Sequence, residues 1–91
     1  MILAAAPYDA IADPTRRRIL DLLRAGSLNA GAIARRFPRI SRPAVSKHLA
    51  ILRRSRLVVV RKTGRELRYS LDPEPLRAID AWLHQYEAIW D

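Results

Sequence analysis

The stretch Ser41-Arg42-Pro43-Ala44-Val45-Ser46-Lys47-His48-Leu49-Ala50-Ile51-Leu52-Arg53-Arg54 carries the residue types with the most chemistry to offer. Arg and Lys can donate to guanine O6 and N7 or to phosphate, and Ser can bond to several base edges. Spacing groups these side chains. Val45, Leu49 and Leu52 recur at i, i+4 and i+7, one apolar stripe of a helix, which leaves Arg42, Ser46, Lys47 and Arg53 on the other side. Ser41 suits the N-cap, and Pro43 falls in the first turn, where a missing N–H costs nothing. A short polar and cationic face on a small helix fits the major groove of DNA. Taken alone, it also fits an ordinary amphipathic surface helix.

Other chemistry is thinly represented. There is no Cys, hence no disulfide, no thiolate metal ligand and no Cys nucleophile. Of the two histidines, His48 lies in the basic helix and His84 near the C-terminus, and neither has a Cys or an acidic pair beside it in an expected cleft. No enzyme is expected from such a set.

The charge decides what surrounds the basic helix. Ninety-one residues carry a net +8, divided very unevenly: +1 over residues 1–34, +11 over 35–68 with Glu66 the lone acid, and −4 over 69–91. A pI near 11.3 with the positive charge confined to one block is the footprint of a polyanion binder. A membrane surface is the rival polyanion. An interfacial helix, however, would set Trp or Phe opposite its cations, and both Trp (Trp82 and Trp90) lie in the acidic block. No apolar run approaches the ~18 residues of a membrane helix. The opening Met-Ile-Leu-Ala-Ala-Ala-Pro lacks a basic n-region, so no signal peptide is expected and the chain reads as soluble and cytoplasmic.

The elements that position the basic helix follow in order, within one domain spanning residues 1–91. Residues 2–12 suggest a first helix, with Pro7 opening or breaking it. Asp13 as N-cap and Pro14 at N1 start a second, with Ile19, Leu20, Leu22 and Leu23 facing inward and Gly26 as its C′ residue. Its Arg16-Arg17-Arg18 run reads as a solvated face, with a phosphate contact as the alternative. Asn29 caps a third helix that carries Ile33, Ala34 and Phe37 and stops at Pro38. Two short helices a few residues apart, the second polar and cationic, make a helix-turn-helix. Leu57–Arg61 and Glu66–Leu71 read as strands around a Lys62-Thr63-Gly64-Arg65 turn, a hairpin with a cationic tip. Asp72-Pro73-Glu74-Pro75 opens a last helix in which Leu76, Ile79, Leu83, Tyr86 and Trp90 follow 3-4-3-4 spacing, with Trp82 and Ile89 beside them. That apolar surface, with Ile2, Leu3 and Tyr8, exceeds what so small a domain needs and predicts a partner helix.

These residues resemble the ArsR/SmtB family of winged-helix transcriptional repressors. The likeness rests on Ala12-Asp13-Pro14-Thr15-Arg16-Arg17-Arg18-Ile19-Leu20, on Ser41 to Leu49 with Leu52, and on Gly64-Arg65-Glu66-Leu67-Arg68-Tyr69. It implies a fold that is mainly α with a small β-hairpin, in the order α-α-α-α-β-β-α. It implies a homodimer paired through the first and last helices (Leu3, Tyr8, Leu76, Ile79, Trp82, Leu83, Tyr86, Trp90) on double-stranded DNA. Ser41, Arg42, Ser46, Lys47 and His48 would face the groove, joined by Arg53 on the polar side of the helix. Arg61, Lys62 and Arg65 would reach the backbone or minor groove. His48 adjoins the apolar stripe, so a packing or phosphate role ranks above base reading.

Many members of that family sense metals, and here the chain departs from the pattern. It has no Cys for one type of site. For another, His84 and Glu87 match half of a ligand set, but the other half would fall on Leu71 and Pro73, which cannot ligate. Asp80 with His84 at i, i+4 is a further pair that zinc would accept. The expectation is a metal-independent repressor with no cofactor. Its alternatives are a zinc-responsive member and a winged-helix protein- or RNA-interaction module, the latter disfavoured because no exposed aromatic is interleaved with the basic block.

Overall fold

A computed structural model describes the backbone of residues 2–90 and the side chains of residues 6–90. The elements are α1 (Ile2–Ala12), α2 (Pro14–Leu23), β1 (Leu28–Asn29), α3 (Ala30–Arg35), α4 (Arg42–Arg54), β2 (Val58–Thr63), β3 (Glu66–Leu71), α5 (Leu76–His84) and α6 (Glu87–Trp90).

Three helices start where local chemistry directs. Asp13 Oδ2 accepts the Arg16 N–H at 3.0 Å, Asn29 Oδ1 the Ala32 N–H at 2.7 Å and Ser41 Oγ the Ala44 N–H at 3.2 Å. All three cap residues have extended backbone, as an N-cap requires. From these starts the apolar stripes converge. Ile19, Ile33, Val45, Leu52, Leu57 and Val58 are the largest fully buried side chains. Each stabilises the fold by roughly 1.5–3 kcal/mol.

The sheet holds one strand more than the expected hairpin. β3 is central, pairing antiparallel with β2 and with the two-residue β1, so that Tyr69 stands between Leu28 and Val60 and Arg68 between Asn29 and Arg61. The hairpin strands run on to Thr63 and Glu66, which leaves a two-residue loop. Gly64 at φ 63° occupies its first position, the arrangement a type II′ turn asks of glycine.

Three details depart from the sequence reading, and a fourth concerns a helix end on which that reading made no statement. α1 runs through Pro7, which neither opens nor breaks it. α2 closes one residue before Gly26 as C′ would make it, with Arg24 as C-cap and its N–H reaching the Leu20 and Asp21 carbonyls; Gly26, at φ 147°, instead turns the chain towards β1. The last helix is not continuous. At Gln85 and Tyr86 the hydrogen bonds tighten to i→i+3, and α6 follows as a separate turn of helix. Finally, α4 ends on an arginine where glycine is the usual choice. Arg56 has φ 66°, its N–H meets the Arg53 carbonyl and that of Leu57 meets Leu52, which is the Schellman closure. A non-glycine side chain in that backbone region costs on the order of 1–3 kcal/mol.

No helix among the described residues is long and apolar enough to cross a membrane.

Candidate nucleic-acid interface

α4 presents its faces as its spacing dictates. Val45, Leu49 and Leu52 are buried, while Ser41, Arg42, Ser46, Lys47 and Arg53 are exposed. The cap leaves chemistry available at Ser41: its Oγ accepts from Ala44, and its own O–H remains free to donate outward. On the hairpin, Arg61, Lys62 and Arg65 are exposed. None of the six cations Arg42, Lys47, Arg53, Arg61, Lys62 and Arg65 takes a hydrogen-bond or carboxylate partner among the described residues.

Other cations are engaged inside the fold. Arg68 donates to the Ser27 carbonyl at 2.6 Å, to Ser27 Oγ at 3.1 Å and to Glu66 Oε2 at 3.1 Å. The Asn29 amide donates to the other oxygen of Glu66. These bonds from Asn29 and then Arg68 hold the Glu66 carboxyl below the usual range. Glu66 is the lone acid of residues 35–68, and both its oxygens are engaged, one by Asn29 at the N-terminus of α3 and the other by Arg68 on its own strand.

The arginine run of α2 does something the sequence reading did not anticipate. Arg16 Nε and Nη2 donate to the carbonyls of Ala10 (2.7 Å) and Asp9 (3.0 Å), and Arg17 Nη1 to those of Ile11 (2.6 Å) and Ala12 (3.4 Å). These are the last four carbonyls of α1, the ones a helix leaves without internal partners. Two arginines therefore close the helix, acting as neither a free solvated face nor a free phosphate clamp. Arg18 instead lies over the Phe37 ring at 5.5 Å, a cation–π contact. With Arg36, Pro38, Arg39 and Ile40 these two line a cavity of about 330 Å³ beside the turn between α3 and α4.

His48 lies off the exposed face. Its Nδ1 is 3.4 Å from Arg16 Nη1 and 3.9 Å from Asp13 Oδ2, in a half-buried junction of α1, α2 and α4. The Asp13 carboxyl is lowered chiefly by the Arg16 backbone N–H, with the His48 and Arg16 charges adding to it. Arg54 ends the basic stretch but is not among the residues that the sequence sets towards DNA. At i+7 from Lys47 it shares that residue's exposed face, a signal the spacing already contained.

The residues expected to pair two copies divide into two groups. Ile79 is buried at 7 % exposure and Leu76 is half-buried against the chain's own core. Tyr8, Trp82, Leu83, Tyr86 and Trp90 are exposed, Trp90 at 63 %. Their rings form a row: Tyr8 meets Trp82 edge-on at 6.3 Å, Trp82 meets Tyr86 at 5.2 Å, and Tyr86 stacks with Trp90 at 6.4 Å. The Tyr8 hydroxyl also donates to the Ala78 carbonyl at 3.3 Å, joining α1 to α5. The side chain of Leu3 lies outside the described residues. His84 Nδ1 meets Glu87 Oε2 at 3.1 Å in an exposed pair, and no group of three metal-ligating side chains occurs among the described residues.

Comparison with known proteins places this geometry. The family described as a helix-turn-helix domain matches residues 11–61. The transcriptional repressor SdpR of Bacillus subtilis is 42 % identical over 84 % of this chain and 83 % of its own length. The HTH-type transcriptional regulator Rv2034 of Mycobacterium tuberculosis is 44 % identical over 87 % of this chain and 73 % of its own. The solved structure of an ArsR-like transcriptional regulator from Rhodococcus sp. RHA1 is 36 % identical and superposes with a TM-score of 0.85 over 99 % of this chain and 82 % of that one. With helix-turn-helix, hairpin and flanking helices all matched, the chain belongs to the ArsR family of winged helix-turn-helix transcriptional regulators.

Proposed function

We propose that the chain is a DNA-binding transcriptional repressor that acts as a homodimer, without a metal, on a partly palindromic operator. On this reading α4 enters the major groove, with Arg42, Ser46 and Lys47 at base edges and Ser41 and Arg53 at the backbone. The wing formed by β2 and β3 follows the adjacent backbone through Arg61, Lys62 and Arg65. One observation carries it: among the described residues the exposed cations of residues 35–68 have no carboxylate partner, and Glu66, the one acid of that block, is bonded to Asn29 and Arg68. Cations without internal partners attract a polyanion and release its counterions on contact.

The dimer is supported by the row of exposed aromatics on the acidic part of the chain. Large rings contribute most of the energy of an apolar contact, and three of these four belong to the acidic residues 69–91. Shape supports it as well. The radius of gyration is 14.3 Å, whereas a compact chain of this length would have roughly 12 Å. One α4 covers one half-site; two half-sites ~34–36 Å apart need two copies held at that spacing. The second contact then gains from a high effective concentration. The metal-free reading is supported by Leu71 and Pro73, which cannot ligate, standing where the family resemblance would put the other half of a ligand set.

The test is the double variant Leu83→Asp with Trp90→Asp. Both side chains are exposed, so the fold should survive while the dimer dissociates. Sedimentation should then give a monomer, with affinity for DNA fragments recovered by genomic pull-down near the non-specific level. A folded monomer that binds those fragments as tightly as the wild type would refute the dimer.

A further inference from the structure

A cavity of about 400 Å³ opens where the end of α4 meets α1 and α5. Ala6 and Pro7 of α1, Pro75 at the start of α5 and Ala78 within it give it apolar walls, and Arg54, Ser55 and Arg56 close it. Its charge is of one sign: two guanidinium groups and no carboxylate. Neither arginine has a hydrogen-bond or ion-pair partner among the described residues. The Ser55 hydroxyl is already engaged, donating to the Leu52 carbonyl at 2.9 Å. Arg56 also sits at φ 66°, where glycine would close the helix without strain. Strained positions cluster where a side chain has work at a site, and here the strained side chain lines the cavity.

We propose that this cavity binds a small organic anion: a carboxylate or phosphate monoester carried on an apolar body. The charged end lies between Arg54 and Arg56, whose forked donors match two oxygens of either group. The body lies against Pro7, Pro75 and Ala78. Such a ligand touches the end of the DNA-facing helix and both helices of the dimer surface, and it neutralises two cations of the basic block. It therefore weakens the affinity for DNA. That consequence rests on the DNA-binding reading; the binding site itself does not.

A backbone phosphate of DNA offers the same chemistry, so the test begins without DNA. The full chain is titrated with benzoate and with phenyl phosphate, ionic strength being held constant with sodium chloride. The expected result is saturable binding of one anion per chain. Arg56→Gly should reduce that affinity about 10-fold or more, the size of a lost charge-assisted pair, while melting at or above the wild-type temperature. Because that variant relieves strain, loss of binding cannot be put down to unfolding. Binding no stronger than that of chloride, or undiminished in Arg56→Gly and in Arg54→Gln, overturns the proposal. So does a wild-type chain that binds neither anion while Arg54→Gln or Arg56→Gly flattens the salt dependence on recovered DNA fragments, which would give the two arginines to the DNA backbone. Saturable binding that leaves DNA affinity unchanged upholds the site and removes its regulatory consequence.

Discussion

Arg16 Nη1 lies 3.4 Å from His48 Nδ1, so the arginine that closes the end of α1 also borders the inner edge of α4. One guanidinium thus connects a helix of the proposed dimer surface to the helix proposed to read DNA. Its donors to the Asp9 and Ala10 carbonyls fix where the group sits, and Asp13, 3.9 Å from the same imidazole nitrogen, lies on the remaining side.

Arg16→Ala should therefore destabilise the fold. The change strips two carbonyls of a charged donor, and bonds of that kind are worth about 1.5–3 kcal/mol each before partial exposure reduces them. A fall in the urea midpoint with an unchanged m-value would fit a loss of about 1–3 kcal/mol. The salt dependence of DNA binding should stay as it was, since Arg16 is engaged internally. A flatter slope would make Arg16 a phosphate contact.

Acid should erode stability through two carboxyls. Asp13, held down mainly by the Arg16 backbone N–H, and Glu66, held down mainly by the Asn29 amide, have folded pKa values below their ordinary 3.8 and 4.5. A depressed carboxyl stabilises the fold above its unfolded value and loses that contribution as pH falls through the folded value. Denaturation followed from pH 6 downward should show the loss beginning near these ordinary values. The double variant Asp13→Asn with Glu66→Gln should flatten the curve, and an equally steep decline would assign acid sensitivity elsewhere.

Replacing Lys62 and Arg65 with Ala should weaken binding to every duplex alike. Each lost phosphate contact should reduce the slope of log K against log salt by about 0.9. If the slope is unmoved, the wing does not touch DNA.

Arg42→Ala and Lys47→Ala should instead act selectively. A good contact to a base edge discriminates by about 1–3 kcal/mol, so affinity should fall on recovered genomic fragments far more than on random duplexes. Equal loss on both would make the residue a backbone contact.

What the sequence disclosed was mostly local. The caps at Asp13, Asn29 and Ser41 and the buried stripe of α4 depend on residues within a turn or two, and they form where their spacing predicts. β1 was not legible because a two-residue strand exists only through pairing with β3, some forty positions away. The roles of Arg16, Arg17 and Arg68 were hidden for a related reason. A cation looks the same in a sequence whether it faces solvent, DNA or a helix end. Ile79 fits the repeat of a partner-facing seam yet packs into the core, since spacing identifies a stripe but not what covers it. The break between α5 and α6 left no mark in the apolar spacing either.

The two ends of the Asn29 amide are both committed, Oδ1 to the first turn of α3 and Nδ2 to Glu66 on β3. This requirement narrows what the position can accept. Aspartate would keep the cap but set a second carboxylate against Glu66; serine would keep the cap and drop the hairpin. Only a side chain that accepts at one end and donates at the other bridges cap and wing, so this amide adds a side-chain tie to the β1–β3 pairing and the Arg68 bonds to Ser27 that set the wing against the helix-turn-helix.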